Sequence, residues 1–533
     1  MSQVPPVDES RRHFLQQTSL AAGLSLFVPS VLLAQGGNLV ADTTTGKVRG
    51  VALEGGVKLF RGIPYGGDTS RKNRFMPPTK VAPWAGVRDC TDWGHVAPQR
   101  QNDNPNDYGK MVGWNNYRGG MSEDCLVLNV WTPALRDGGH RAVIVHFHGG
   151  GYSSGSGNLV ALEGHHAVRA GNVVVVTVTH RLGALGYTDL SAFGGPELAT
   201  SGNVGMLDLV AALRWIHDNI ENFGGNPNSV LIFGQSGGGG KVCTIMTMPS
   251  AKGLFQRAGV QSGSTLRIGR PEAAHRTADT MLTKLSVAKG DLAKLQSLPF
   301  EQIVAAGGGG GPVMDGNVVP RDPFDPDAAP LSANVPMIIG SCLQDASFTM
   351  TDFDADEAAL RRYAETQSPG KGDEIVAAYR KIYPSVAPYL LKATMATDRG
   401  MRRSAITQGE RKAAQGSAPA FLYRWDWPVP GGGNRWGATH GSDLSVSLSN
   451  PTTDMTLNTP AAQVMAKRIG SAFIAFAKTG NPSNPVIPRW PAYNATERSV
   501  MIFDTNTRVE RDPNRELRLL WDRLPAAATR PPA

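Results

Sequence analysis

Two stretches of the chain carry the pattern Gly-x-Ser-x-Gly: Gly151-Tyr152-Ser153-Ser154-Gly155 and Gly234-Gln235-Ser236-Gly237-Gly238. A serine in this pattern becomes a nucleophile when it stands on a tight turn between a buried strand and a helix, which lifts Oγ clear of a sheet. In a chain with 62 glycines the pattern alone is weak, since about one copy arises by chance. Context separates the two. Ser236 follows the apolar run Val230-Leu231-Ile232-Phe233 and precedes Lys241-Val242-Cys243-Thr244-Ile245-Met246, which suits a helix. Ser153 lies in a Gly/Ser loop with no helical pattern behind it. Ser236 is therefore the candidate nucleophile.

A serine hydroxyl needs a base to remove its proton, and in strand–turn–helix elbows of this kind the chain order runs serine, acid, histidine. Two histidines follow Ser236. His275 sits in an early-helix pattern, Pro271 to Asp279, and leaves little room for an acid on a later strand. His440 sits in Gly437-Ala438-Thr439-His440-Gly441-Ser442-Asp443, a loop able to present an imidazole. Asp345, just beyond the strand-like Val335-Pro336-Met337-Ile338-Ile339-Gly340, is the preferred acid. Asp315, in the turn sequence Pro312 to Gly316, is its rival. Another tract, His148-Gly149-Gly150-Gly151, directly follows a buried run. Three glycines let backbone N–H groups approach a developing alkoxide without interference from Cβ atoms. Each donor lost from such a hole typically costs about 3–4 kcal/mol of transition-state stabilisation.

These groups need a scaffold. Val143 to His148, Val173 to Val178 and Val230 to Phe233 read as short buried strands, and Leu207 to Ile220 has helical spacing. Strands alternating with helices predict an α/β class built on a large, mostly parallel sheet flanked by helices. Residues 38–62 read as antiparallel hairpins broken by Thr-Gly and Glu-Gly-Gly turns. Residues 97–121 read as a long polar surface loop, and Gly307 to Gly311 as a flexible one. The net charge of +8 is spread along the chain without a Lys/Arg-rich run, which argues against nucleic-acid binding. The sequence has no metal-ligand cluster, C-x-x-C pair or phosphate loop, so no metal or cofactor is expected. At the N-terminus, Ser10-Arg11-Arg12-His13-Phe14-Leu15 precedes an apolar run from Leu20 to Ala34 that Pro29 interrupts. The twin arginines predict a bacterial Tat export signal over 1–34, cut after Ala34, and a periplasmic or secreted enzyme. Residues 35–533 are expected to form a single catalytic domain with no membrane span.

The chain resembles the type-B carboxylesterase family of α/β-hydrolases, which includes cholinesterases. The resemblance covers most of residues 38–505. It rests on Phe60-Arg61-Gly62-Ile63-Pro64-Tyr65, Ser122-Glu123-Asp124-Cys125-Leu126, the His148–Gly151 tract and Arg181-Leu182-Gly183. It continues through Asn222-Phe223-Gly224-Gly225-Asn226-Pro227, the Ser236 elbow, His440-Gly441 and Phe476-Ala477-Lys478-Thr479-Gly480-Asn481-Pro482. It implies a triad of Ser236, Asp345 and His440 acting on small-molecule esters through an acyl-enzyme. It also implies that Gly150, Gly151 and Gly237 donate the oxyanion-hole N–H groups, in a gorge walled by loops. This chain departs from the family at the elbow, where Gln235 and Gly237 replace the usual Glu and Ala. Asp345-Ala346 replaces the commoner Glu-Gly. The family disulfide at Cys125 has its partner where Ala97 stands here, with Cys90 seven residues earlier; Cys243 and Cys342 are expected to be buried thiols. Tyr152, Phe348 and Trp436 lie near the motifs and could line a substrate pocket, and Trp114 could face a cationic alcohol group. A non-catalytic binding protein, a lipase and an amidase are the alternative readings.

Overall fold

The computed structural model describes residues 39–101, 105–113 and 118–524; the twin-arginine segment and Trp114 lie outside the described residues. Fourteen strands are described: β1 Val40–Thr43, β2 Gly46–Arg49, β3 Val51–Ala52, β4 Lys58–Pro64, β5 Val87–Asp89, β6 Val127–Thr132, β7 Arg141–Phe147, β8 Val174–Val178, β9 Gly225–Gln235, β10 Arg257–Gln261, β11 Met337–Cys342, β12 Ala420–Trp425, β13 Ser499–Phe503 and β14 Arg508–Arg511. Eleven of them form one sheet in the order β14-β13-β12-β11-β10-β9-β7-β8-β6-β4-β3, and β1-β2-β5 form a small second sheet. Every pairing from β13 across to β8 is parallel, while β14, β6, β4 and β3 pair antiparallel at the two margins. The expected N-terminal hairpins are present as β1–β2 and β3–β4.

Alternation along the central strands sends side chains to two separate cores, as a period of two dictates. Val143, Val145, Val174, Val176, Val230, Ile232, Met337 and Ile339 face one side and pack with the helix Val204–Asn219 and the helix Gly237–Ile245. Ile144, Val175, Leu231, Phe233 and Ile338 face the other, against the helix Pro460–Thr479. Strands buried on both faces read as unbroken apolar runs, which is why β8 is legible as Val-Val-Val-Thr-Val. A bidentate ion pair ties the segment after β8 to the first of these helices: Arg181 Nε and Nη2 donate to Asp208 at 2.8 and 2.7 Å, both side chains buried.

Several expectations need correction. Residues 97–121 are not wholly a surface loop, because Asp107–Val112 is a helix with Tyr108 and Met111 buried. Asn106 caps it by accepting from the Gly109 N–H, and Gly113 ends it in the left-handed region at φ 68°. The five-glycine run is packed rather than free: a Cβ on Gly309 would stand 2.1 Å from the Gly183 carbonyl, and one on Gly311 would meet the Tyr152 ring. The helix expected from Leu207 begins at Val204. Other expectations hold: Cys243 and Cys342 are buried free thiols, Cys90 and Cys125 are likewise unbonded, and Ala97 is core.

Three histidines are sealed into the sheet's carboxyl edge: His146 on β7, His148 just past it and His180 just past β8, with the rings of His148 and His180 stacked at 4.9 Å. Burial, with the charge of Lys241 as a lesser cause, pushes His146 down to about 3 and the other two well below the usual imidazole range. Their folded state therefore stays neutral while the unfolded chain protonates. The stability this confers is complete above an unfolded histidine's pKa of about 6.5 and is lost as pH falls below it, by about 1.4 kcal/mol per pH unit for each ring. Asp443, pushed up to about 6 mainly by burial, works in the opposite sense below that pH and offsets about one ring. The protein is thus expected to be less stable at pH 5 than at pH 7, read as a fall in the urea midpoint. Equal midpoints would show that the rings take up protons without unfolding.

Candidate active site

The three candidate side chains come from the carboxyl ends of parallel strands. Ser236 follows β9, Asp345 lies three residues past β11, and His440 lies in the loop after β12. Ser236 sits at φ 58°, ψ −127°, a conformation costly for any residue with a Cβ. It is held on both sides: its N–H donates to the Gln261 carbonyl at 2.8 Å, and its carbonyl accepts from the Gly240 N–H at 3.1 Å. The helix Gly237–Ile245 starts at once. Gly238 must be glycine, since a Cβ there would lie 2.1 Å from the Phe147 carbonyl.

Asp345 is fully buried and His440 is 4% exposed. His440 Nδ1 donates to Asp345 Oδ1 at 2.7 Å. The other carboxylate oxygen accepts from Ser262 Oγ at 2.7 Å and from the Cys342 N–H at 2.8 Å. The two loops are also joined to one another. Gln344 Oε1 accepts from the Ala438 N–H at 2.9 Å, and Ser347 Oγ donates to Thr439 Oγ1 at 2.8 Å. Tyr108 donates to the His440 carbonyl at 2.8 Å, and Phe348 stacks on the imidazole at 4.7 Å. With its proton on Nδ1, the imidazole presents a lone pair on Nε2. The Gln235 amide donates to that lone pair at 3.0 Å. Ser236 Oγ makes no hydrogen bond among the described residues.

The loop after β7 lies directly on the first turn of the helix Gly237–Ile245. A Cβ on Gly237 would stand 2.2 Å from the Gly151 carbonyl, which accounts for glycine at this position. Gly150 and Gly151 adopt φ 83° and 60°, and among the described residues their N–H groups and that of Gly237 donate to no protein acceptor. Gly237 adjoins Ser236 in the chain and Gly151 packs against Gly237, so unpaired donors beside the serine can receive an oxygen that gains negative charge.

The remaining candidates fall as follows. Tyr152 lines an open cavity of about 380 Å³ with Ser236, Gly237, Ser262, Thr265 and Met401. Trp436 is buried, 1% exposed, with its ring against Tyr108 and Phe353. Ser153 is in a turn on the exposed loop after β7. His275 is 3.2 Å from Asp189, and Asp315 accepts from the Asn317 and Val319 N–H groups within its own turn. Sequence reasoning missed Tyr108, Ser262 and the Gln235 contact. Only Gln235 carried a signal, as the neighbour of the candidate nucleophile. Among the described residues no group of three or more His, Cys, Asp or Glu side chains is placed to hold a metal, and no helix is long and apolar enough to cross a membrane.

Comparison with known proteins matches this architecture. The model of the carboxylesterase family matches residues 37–521. The para-nitrobenzyl esterase of Bacillus subtilis is 31% identical over 499 residues, spanning 90% of this chain and 97% of that protein. The solved structure of a Geobacillus stearothermophilus carboxylesterase superposes with a TM-score of 0.78 at 31% identity, covering 91% of this chain and 100% of the other. An esterase from Clostridium hathewayi, described as able to hydrolyse aliphatic aromatic polyesters, gives 0.79 at 32% identity, with coverage of 91% and 98%. The elbow, the buried acid–imidazole pair and a match running from end to end of the described sheet together make this chain a member of the carboxylesterase family.

Proposed function

We propose that the protein hydrolyses carboxylic esters through an acyl-enzyme on Ser236, with His440 as general base and acid and Asp345 as the orienting carboxylate. The observation that carries this reading is the 2.7 Å contact between His440 Nδ1 and Asp345, which fixes the tautomer that puts the basic lone pair on Nε2, beside the elbow residue Gln235. The Ser236 hydroxyl displaces the Gln235 amide from that lone pair, gives up its proton and attacks the ester carbonyl. The carbonyl oxygen becomes an alkoxide held by the N–H groups of Gly150, Gly151 and Gly237. As the intermediate collapses, the C–O bond to the alcohol breaks and the alcohol leaves with the proton from His440. Water, deprotonated by His440, then cleaves the acyl-enzyme, and the proton returns to Ser236.

The wall beside Ser236 carries serine, threonine, glycine, methionine and tyrosine but no charged side chain. This supports uncharged esters as the substrate class. A second cavity of about 330 Å³ shares Tyr152 and Thr265 with the first and is also lined by Arg267 and Arg270, giving room for an extended acyl or alcohol group. Relatives named as a para-nitrobenzyl esterase and as an esterase acting on aliphatic aromatic polyesters fit the same chemistry.

Ser236→Ala is expected to abolish turnover of p-nitrophenyl esters while circular dichroism stays unchanged. Asp345→Asn is expected to lower kcat by about 10⁴-fold by favouring the wrong tautomer. Full activity in either variant would remove that residue from the mechanism. We propose further that residues 1–34 direct Tat export. Replacing Arg11 and Arg12 by lysine should leave precursor in the bacterial cytoplasm, and undiminished export of the variant would contradict it.

A further inference from the structure

Lys241 lies five residues after Ser236 on the helix Gly237–Ile245 and is completely buried. Its Nζ donates to the His148 carbonyl at 2.8 Å and to the Gly151 carbonyl at 3.0 Å. These are the first and last residues of the His148–Gly151 tract, which packs against Gly237 beside Ser236. Among the described residues Lys241 forms no ion pair, and desolvation alone pulls the ammonium down to about 7. The groups facing it from other elements are His146, His148 and His180, all held neutral by burial, and the Tyr152 ring 5.6 Å away.

This lysine is costly for folding, because an ammonium is buried with no counter-charge. The surrounding sequence is nonetheless built to admit it. Four consecutive glycines, Gly237–Gly240, leave the first turn of the helix bare, so that the Gly151 and Phe147 carbonyls come within 2.2 and 2.1 Å of where Cβ atoms would stand on Gly237 and Gly238. The loop rests on this bare turn, and Lys241 reaches past it to both ends of the glycine tract.

We propose that Lys241 is a positioning residue that holds the His148–Gly151 loop in the geometry in which its amides converge on the alkoxide. Anchoring the carbonyl at each end of the tract fixes the peptide planes between them, so the Gly150 and Gly151 N–H groups are oriented before the substrate arrives. Preorganised donors act where charge develops, so losing the anchor weakens transition-state binding more than ground-state binding. The inference rests on the acyl-transfer reading above.

The test compares wild type with Lys241→Met, which fills similar volume without donors, and with Lys241→Gln, which keeps an amide donor. The readouts are kcat and KM for p-nitrophenyl acetate, the Ki of an aryl trifluoromethyl ketone, the Kd of p-nitrobenzyl alcohol as a ground-state ligand, and melting temperature. In the ketone adduct Ser236 Oγ bonds to the carbonyl carbon, the proton passes to His440, and the oxygen becomes an anion facing the three amides. In Lys241→Met kcat is expected to fall on the order of 10- to 100-fold with KM changed less than about threefold. The ketone Ki should rise in proportion to the loss of kcat/KM, while alcohol affinity stays constant. Lys241→Gln should fall between Lys241→Met and wild type, and if the Met variant does not fold, the Gln variant is read alone against wild type. Unchanged kcat in a folded variant, or equal weakening of ketone and alcohol, overturns the proposal. Turnover persisting in Ser236→Ala would instead overturn the reading beneath it.

Discussion

Two backbones meet at the carboxyl ends of adjacent parallel strands, and the rest of the site is arranged around that contact. β7 and β9 pair in a register that sets Phe147 opposite Gly234, so both chains leave the sheet at the same level. One continues into the glycine tract and the other into the Ser236 turn. The two approach so closely that the Phe147 and Gly151 carbonyls occupy the positions where side chains on Gly238 and Gly237 would begin. The Ser236 backbone conformation costs about 1–3 kcal/mol. It persists because β10 binds the Ser236 N–H and the new helix binds its carbonyl. A bulkier residue at 237 or 238 would part the loops and separate the hydroxyl from the amides.

The acid and the imidazole depend on a second pair of neighbouring strands, β11 and β12, and on the loops that follow them. These loops are joined through Gln344, Asp345 and Ser347 on one side and Trp436, Ala438, Thr439 and His440 on the other. The aromatic layer of Tyr108, Phe348 and Trp436 packs behind and keeps water from the carboxylate. A carboxylate sealed in this way needs partners for both oxygens, and Asp345 has three: His440, Ser262 and the Cys342 amide. A shorter acid than the family's usual Glu still reaches the ring because the acid loop is pinned to the histidine loop on either side of the contact.

Much of this was legible in the sequence where the cause is local. The Ser236 elbow is written in a buried strand, a glycine-flanked serine and a helix, all within about twenty residues, and the doubly buried strands announce themselves as unbroken apolar runs. Asp345 could be preferred over Asp315 because one follows a strand and the other occupies a turn, and the turn hydrogen bonds of Asp315 match that reading. What escaped depends on partners distant in sequence. Tyr108 lies in a polar stretch that reads as loop, and the carbonyl its hydroxyl binds is 332 residues away. The Gly307–Gly311 run suggests mobility until Gly183 and Tyr152 are seen against it. Gln235 stands where the family commonly has Glu, and its contact with His440, 205 residues away, shows only in the fold: its amide occupies the lone pair that the proposed reaction needs.

In the proposed mechanism Ser236 forms a covalent bond to the acyl group during turnover. Treating the protein with a p-nitrophenyl alkylphosphonate and mapping the adduct by peptide mass spectrometry tests it directly. One phosphonyl group per chain is expected, on the peptide containing Ser236, formed in step with loss of activity and released p-nitrophenol. Inactivation with the adduct on the Ser153 peptide, or complete inhibition with Ser236 unmodified, would contradict it.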